Sequence, residues 1–287
     1  MSSLPDQKFD VVVMGGGIVG SSVAYHLMME SPTLSVAVIE PDPTYEFASA
    51  LRASGGCRVQ FTCPENIQMS TYIQDRVEAA EVDDIKVKSV TLASGQTLRA
   101  DAFVNATGAW SGLVAEKFGM TLPITPLRRF EHYFTAGTPV ERLPYVKDVN
   151  RMAFRSEGNG FSGGLVDGSA QHGFNFDVDH DYFERVMWPA VAERFPAFEA
   201  AKCHRTWSGL YEVNELDDNP VIGAWNHGSP NLFTVAGFSG HGMMHAPAAG
   251  RGIAELVVQG KFQTLDLTRL GYERVVAGKP YAEAGIL

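Results

Sequence analysis

The sequence predicts an α/β fold, and three observations carry that prediction. An apolar, β-branched run at residues 9–14 leads into a glycine-rich turn at 15–20 and then into a helical pattern. A second apolar run, 35–39, follows one helix length later and ends on an acid, Glu40. The succession of strand, glycine turn and helix returns at 232–258, so the same kind of unit is rebuilt from segments far apart in the chain. The expectation is a Rossmann-like domain, discontinuous in sequence (residues 1–122 and 212–287), around a β-rich (α+β) domain of residues 123–211.

Residues 9–14 (FDVVVM) suit a parallel strand buried on both faces. Residues 18–30 read as a helix with Val19, Val23, Leu27 and Met28 near one face, and 35–39 (SVAVI) as the next strand. A loop containing Pro41, Pro43, Gly55 and Gly56 follows. Pro64 suits a first helical position, and Met69, Ile73 and Val77 recur four apart, which predicts a helix over 64–80. Residues 85–101 read as two strands about a turn at Gly95, and 102–106 (AFVNA) as a further buried strand. Between 122 and 211, the aromatics, the glycine turns at Gly158, Gly160, Gly163 and Gly164 and the acidic run 177–181 predict a mainly antiparallel sheet with one helix, 182–194. Residues 232–236 (LFTVA) form the last strand. The helix after it runs to about 258, with Pro247 in its first turns or at a kink. Gly250 and Gly252 would let that helix press close to the sheet.

Composition narrows the function classes. With 45% hydrophobic and 20% charged residues, the 287-residue chain has ample material for a core. A net charge of -10, with scattered basic residues, argues against nucleic acid, whose binding needs a positive field to release its counterions. Three cysteines, Cys57, Cys63 and Cys203, are too few and too irregular for a disulfide framework. His132, His172 and His180 are too widely spaced for a metal site, and none is assigned. No run approaches the length of a membrane span, and residues 1–8 lack the apolar core of a signal peptide. The expected location is the cytoplasm, with peripheral attachment to the inner membrane compatible with it.

The first chemical motif is Gly15-x-Gly17-x-x-Gly20 between a strand and a helix. Its first glycine makes the tight turn, its second lets backbone approach a pyrophosphate, and its third brings helix and strand together. The helix opened by Ile18, Val19 and Gly20 offers free amides and a positive dipole end to phosphate. Glu40, followed by Pro41, stands twenty residues beyond Gly20, where an acid accepts hydrogen bonds from a ribose diol. Alone, the motif fits NAD and FAD equally.

Two later segments separate these cofactors by resemblance. Residues 104–110 (VNATGAW) resemble the ATG turn of FAD oxidoreductases, which implies cofactor contacts at Thr107, Gly108 and Trp110. Residues 237–242 (GFSGHG) resemble the C-terminal flavin loop of the D-amino-acid oxidase/sarcosine oxidase superfamily, implicating Gly237, Ser239, Gly240, His241, Gly242 and the adjoining Met243. Ala48-Ser49, Gly55-Gly56-x-Arg58-x-Gln60-Phe61, and residues 64–68, 178–181, 196–199, 219–223 and 262–264 are similar to one branch of it. These are the FAD-dependent oxidoreductase domain-containing proteins, related to sarcosine and dimethylglycine dehydrogenases and including a respiratory complex I assembly factor.

The resemblance implies FAD, a secondary amine or amino acid as substrate, and hydride transfer from it to flavin N5. It places Ser49, Gly55 and Gly56 at the cofactor. Arg58 is the candidate for a substrate carboxylate, with Arg52 the alternative for that task or for an FAD phosphate. Tyr211 matches an aromatic near the substrate cavity, with core packing an equal alternative. His241 could bond flavin or substrate, or simply pack its loop.

The chain also departs from the pattern. It looks shortened near residues 80–81, where relatives carry part of the substrate domain and the strand that holds the adenine, so reduced adenine contacts are expected. Gly209 and Leu210 stand where sarcosine oxidases carry their flavin-linking cysteine, so the FAD should be non-covalent. Met243, Met244 and His245 replace a lysine after the loop, and 160–168 has none. This favours a dehydrogenase passing electrons to a quinone or an electron-transfer flavoprotein. The alternative is a flavin-binding assembly or scaffold protein with little or no catalysis.

Overall fold

The computed structural model describes residues 7–53, 70–73, 75–83, 85–148, 152–166 and 170–281. Gly55, Gly56, Arg58, Cys57 and Cys63 lie outside these residues, as do positions 64–69 of the expected helix. The chain divides into two units. The first comprises Met1–Glu46, Cys57–Thr125 and Glu212–Glu283, and the second Phe47–Gly56, Pro126–Tyr211 and Ala284–Leu287.

In the first unit, strands β1 (Gln7–Met14), β2 (Val36–Ile39), β3 (Ser70–Ile73), β4 (Val77–Val82), β5 (Val87–Leu92), β6 (Thr97–Asn105), β12 (Val221–Ala224) and β13 (Leu232–Ala236) make one sheet. Its order is β12-β13-β6-β1-β2-β3, with the β4–β5 hairpin branching from β6. β13, β6, β1, β2 and β3 run parallel, and β12 closes one edge antiparallel. From Val11 onward, alternate β1 residues feed opposite cores. Phe9, Val12 and Met14 join Phe103, Phe118 and Met120, whereas Val11 and Val13 join Val23, Leu27, Phe238 and Ile253. Burial on both faces is why β1 ends in a continuous apolar run, residues 11–14.

Helix α1 (Ile18–Glu30) follows β1, and its buried residues include the expected Val19, Val23, Leu27 and Met28. The short helix α2 (Ser49–Arg52) falls in what reads from sequence as loop, and α3 (Ser111–Glu116) follows β6.

Three expectations are corrected. The helix over 64–80 is not formed where it is described: 70–73 is strand β3, paired with β2 from Val36↔Ser70 to Ile39↔Ile73, and 77–82 is β4. A short apolar recurrence fits helix or strand, and pairing with the exposed edge of β2 decided it. The strands expected at the end of 85–101 and at 102–106 are one strand, β6. It keeps β1 on one side throughout and changes partner on the other, from β5 at Thr97–Arg99 to β13 at Phe103–Asn105. Gly95, at φ +87°, makes the expected hairpin turn.

The third correction concerns the last long helix, α5 (Gly242–Gln259), which carries Pro247 within it. A Cβ on Gly250 would run into Ser22 of α1, and one on Gly252 would lie 2.8 Å from Leu267 Cδ1. These glycines therefore serve contact with another helix and with the following chain, not with the sheet. A short helix, α6 (Glu273–Val276), comes after it.

The second unit is a five-stranded sheet of order β11-β7-β10-β9-β8, built from β7 (Ile124–Thr135), β8 (Val146–Lys147), β9 (Met152–Glu157), β10 (Gly160–Leu165) and β11 (Lys202–Asn214). The expected helix is present as a π-helical turn, Phe183–Met187, leading into α4 (Trp188–Arg194). Its core is aromatic, with Phe134, Phe154, Phe161, Phe183 and Phe198 buried together and the Phe161 and Phe198 rings edge-on at 4.8 Å.

Candidate functional site

In the first unit, the loops after β1, β6 and β13 and the acid after β2 lie at the carboxyl ends of four neighbouring parallel strands. In open α/β sheets that edge is where ligands bind.

Gly15 stands at φ +94° and donates its N–H to Ile39 O at 2.8 Å. A Cβ on Gly15 would come within 2.5 Å of Ala106 O, and one on Gly20 would overlap the Gly15 carbonyl oxygen. The first and third glycines therefore join loop to loop and helix to strand. A Cβ on Gly17 would meet nothing within 4 Å, so the middle glycine borders open space. Gly17 is also the N-cap of α1, and neither a side-chain cap nor a first-turn acid is present. Among the described residues, the amides of Ile18, Val19 and Gly20 are thus the free donors of a helix start.

Glu40 is not a solvated strand-end carboxylate. It is half-buried, accepting from Gly16 N–H at 2.8 Å through one oxygen and from Asp42 N–H at 3.0 Å through the other. Burial raises its pKa above the ordinary value, and those two donors pull the other way. Pro41 beside it is exposed.

After β6, Thr107 and Gly108, the latter at φ +58°, lead into a 3-10 turn, Gly108–Trp110. The side chain of Asn105, absent from the sequence-derived candidates, holds this turn. Its Nδ2 donates to Ser111 O at 3.0 Å, and its Oδ1 accepts from Thr107 Oγ1 at 2.7 Å. Trp110 is exposed.

After β13, three left-handed residues shape the loop: Gly237 (φ +86°), Ser239 (φ +49°) and Gly240 (φ +104°). Helix α5 then starts at Gly242 with His241 as N-cap and no acid in its first turn, and Met243 is half-buried within that turn. The His241 and His245 rings meet edge to face at 4.9 Å.

Other candidates belong to the second unit and are engaged there. Ser49 Oγ donates to Leu210 O at 2.5 Å. Arg52 donates to Ser208 O at 2.6 Å, and its guanidinium lies over the Phe47 and Phe176 rings. Tyr211 has the Arg129 guanidinium 5.3 Å from its ring centroid, and burial raises its hydroxyl pKa.

Glu131 and His132 are neighbours on β7; nothing in the sequence marks Glu131, and His132 enters there only as a metal ligand set aside for its spacing. Burial lowers His132 to about 4, and its Nδ1 lies 2.9 Å from Thr206 Oγ1. Burial lifts Glu131 from 4.5 to about 8 although Ser162 Oγ donates to it at 2.9 Å. A carboxyl with a raised folded-state pKa contributes stability that is complete below its unfolded value and lost as pH rises through the folded one. The Glu131 contribution should therefore fall between about pH 4.5 and pH 8, against an opposite contribution from His132 between about pH 4 and pH 6.5. Glu131→Gln is expected to flatten that fall, melting above wild type near pH 8 and close to it near pH 4.5. Parallel melting curves across that range would contradict the assignment.

Comparisons with known proteins give the family and the fold. The family model described as FAD dependent oxidoreductase matches residues 10–81 and 71–256. The FAD-dependent oxidoreductase domain-containing protein 1 of Xenopus laevis is 28% identical over 431 residues, covering 99% of this chain and 86% of that protein. An alignment of that length against 287 residues leaves a long stretch of the relative without a counterpart, in keeping with the expected shortening. A D-amino acid dehydrogenase of Sinorhizobium medicae is 29% identical over 203 residues, covering 69% of this chain and 46% of the enzyme. Among solved structures, L-proline dehydrogenase from P. horikoshii superposes with a TM-score of 0.80 at 20% identity, covering 96% of this chain and 100% of that one. Glycine oxidase from Geobacillus kaustophilus gives 0.74 at 17% identity, covering 92% and 98%. The two solved structures share the fold, and the family match spans most of the sequence: the chain belongs to the DAO family of FAD-dependent oxidoreductases.

Proposed function

We propose that the protein holds FAD without a covalent link and oxidises a secondary amine or amino acid, passing electrons to an acceptor other than oxygen. The observation that carries the reading is the convergence of three glycine loops and Glu40 on one sheet edge.

The residues present fit the group. Open space at Gly17 and the uncapped start of α1 suit a pyrophosphate, and the half-buried Glu40 suits a ribose diol. The loop at 237–242 and the start of α5 supply amides and a positive dipole end for negative charge on the ring system. When bound, FAD supplies the two-electron acceptor, and the protein supplies orientation and electrostatics. Non-covalent attachment is supported by Gly209 and Leu210 at the linking position. Cys203, the described cysteine, has its thiol pKa raised by burial and so is kept from the reactive thiolate form.

For the substrate, Arg58 remains the proposed partner of a carboxylate and Tyr211 a proposed cavity aromatic. The similarity to D-amino acid dehydrogenases supports a small amino acid or amine and an acceptor such as a quinone or an electron-transfer flavoprotein. A second reading, a flavin-binding assembly protein with little catalysis, is favoured by the stretch that relatives carry and this chain lacks.

The expected result is a yellow protein that releases its flavin on acid denaturation and is bleached anaerobically by an N-methyl amino acid, a D-amino acid or proline. Flavin tightly held but bleached by none of them would overturn the enzymatic reading in favour of the assembly protein.

A further inference from the structure

The loop between β13 and α5 is folded around a side chain that belongs to neither. Glu212, on β11, accepts the Gly237 N–H on Oε2 at 2.9 Å, and the Phe238 N–H also donates to its carboxylate. Its backbone carbonyl accepts from Ser239 N–H at 3.0 Å. Two residues on, Asn214 N–H donates to Ser239 Oγ at 3.0 Å, and that hydroxyl donates to Gly237 O at 3.3 Å. The His241 N–H closes onto Phe238 O at 3.0 Å. The amides of 237, 238, 239 and 241 are therefore all consumed within the protein. Among the described residues, those left in the loop belong to Gly240 and to the first turn of α5.

We propose that Glu212 is a positioning residue for the flavin: by occupying the first amides of the 237–242 loop, it confines the donors offered to the flavin ring to Gly240 and the start of α5. The inference rests on the FAD reading above. Two features of the geometry support it. Ser239 is held in a left-handed conformation that costs a non-glycine residue energy and persists only where its surroundings impose it. The carboxylate that takes the two amide protons also stands beside the donors left for the ring, where its charge opposes that of a reduced flavin and a glutamine's does not.

Glu212→Gln keeps an oxygen that can accept from the two amides and removes the charge; Glu212→Ala removes both. Each protein, stripped of flavin and refilled, would be assayed for its FAD dissociation constant by fluorescence quenching and for its midpoint potential by dye equilibration. Expected are a loss of affinity of roughly 10- to 100-fold for Ala, rescue by Gln to within about threefold, and a more positive potential for the Gln protein than for wild type. Wild-type affinity in the Ala protein, or an unchanged potential in the Gln protein, would overturn the proposal. If the Ala protein fails to fold, the potential of the Gln protein decides alone. Failure of wild-type protein to bind FAD would instead sink the parent reading, so the two failures are distinguishable.

Discussion

Gly20→Ala is expected to yield a poorly folded protein without flavin, whereas Gly17→Ala should fold normally and still bind flavin weakly. The two substitutions add the same methyl group three residues apart. At Gly20 that methyl overlaps the Gly15 carbonyl oxygen and comes within 2.9 Å of the carbonyl carbon, so backbone must move between α1 and the turn. A forced backbone shift in a packed core costs about 3 kcal/mol or more, or roughly 10 °C of melting temperature in a domain of this size. At Gly17 the methyl meets nothing within 4 Å, and with φ -61° and ψ -173° the backbone is one alanine adopts freely. Stability should change by about 0.5 kcal/mol or less. The methyl would nevertheless occupy the space through which a pyrophosphate approaches the helix start, and affinity should fall about tenfold or more. Melting curves and the ratio of flavin to protein absorbance check both. A Gly20→Ala protein that melts with wild type, or a Gly17→Ala protein that retains wild-type affinity, would refute the roles given to the glycines.

Asp217→Asn is expected to cost about 3–5 kcal/mol, because it strips the charge partner from a buried arginine. Arg274 of α6 donates to Asp217 at 2.7 and 3.1 Å and to the carbonyls of Leu270, Gly271, Asn219 and Pro220. Asp217 in turn accepts from Asn214 Nδ2 at 3.0 Å, Asn219 N–H at 3.1 Å and Tyr281 N–H at 2.9 Å. Burial pushes the Asp217 pKa up, but the hydrogen bond and charge of Arg274 and the two amides outweigh it and leave it below 3.8. A depressed carboxyl contributes stability present above its unfolded value and lost as pH falls through its folded one. The wild-type protein should therefore weaken on acidification below about pH 4, and the Asn protein, already weakened, should show a shallower acid limb. The loss should also reach the cofactor, since Asn214 braces both Asp217 and Ser239 of the 237–242 loop. Denaturant melts at neutral and acid pH, with flavin release followed in parallel, measure both effects. An Asp217→Asn protein as stable as wild type would show that the pair merely balances its own desolvation.

Much of the cofactor-binding unit is legible in the sequence. The runs at 9–14, 18–30, 35–39 and 232–236 become β1, α1, β2 and β13 with shifts of two residues or fewer, because each is apolar enough to demand burial and is bounded by glycine or proline. The region 64–80 is different. Its recurrence of Met69, Ile73 and Val77 is too short to separate a helix from a strand, and the parallel pairing with β2 that settles residues 70–73 is non-local. The same holds for β6, whose length follows from a change of neighbour along one side.

Glu212 did carry a signal that could have been read. Ser208, Leu210 and Asn214 are buried at a spacing of two along β11, and Glu212 falls in the same register, an acid at an inward position. Asn105 carried less, since an asparagine before a turn is common and only its two hydrogen bonds reveal its work.

The sequence by itself determined the strand–glycine–helix turns, their order along the chain and the class of ligand they suit. Those properties depend on local backbone requirements, a positive φ or a missing Cβ, that residue spacing records directly. Only the tertiary structure decided what holds the turns in place. Glu40 on Gly16, Glu212 on Gly237 and Arg274 on Asp217 join residues 24, 25 and 57 positions apart, and contacts that distant leave no periodicity in the sequence.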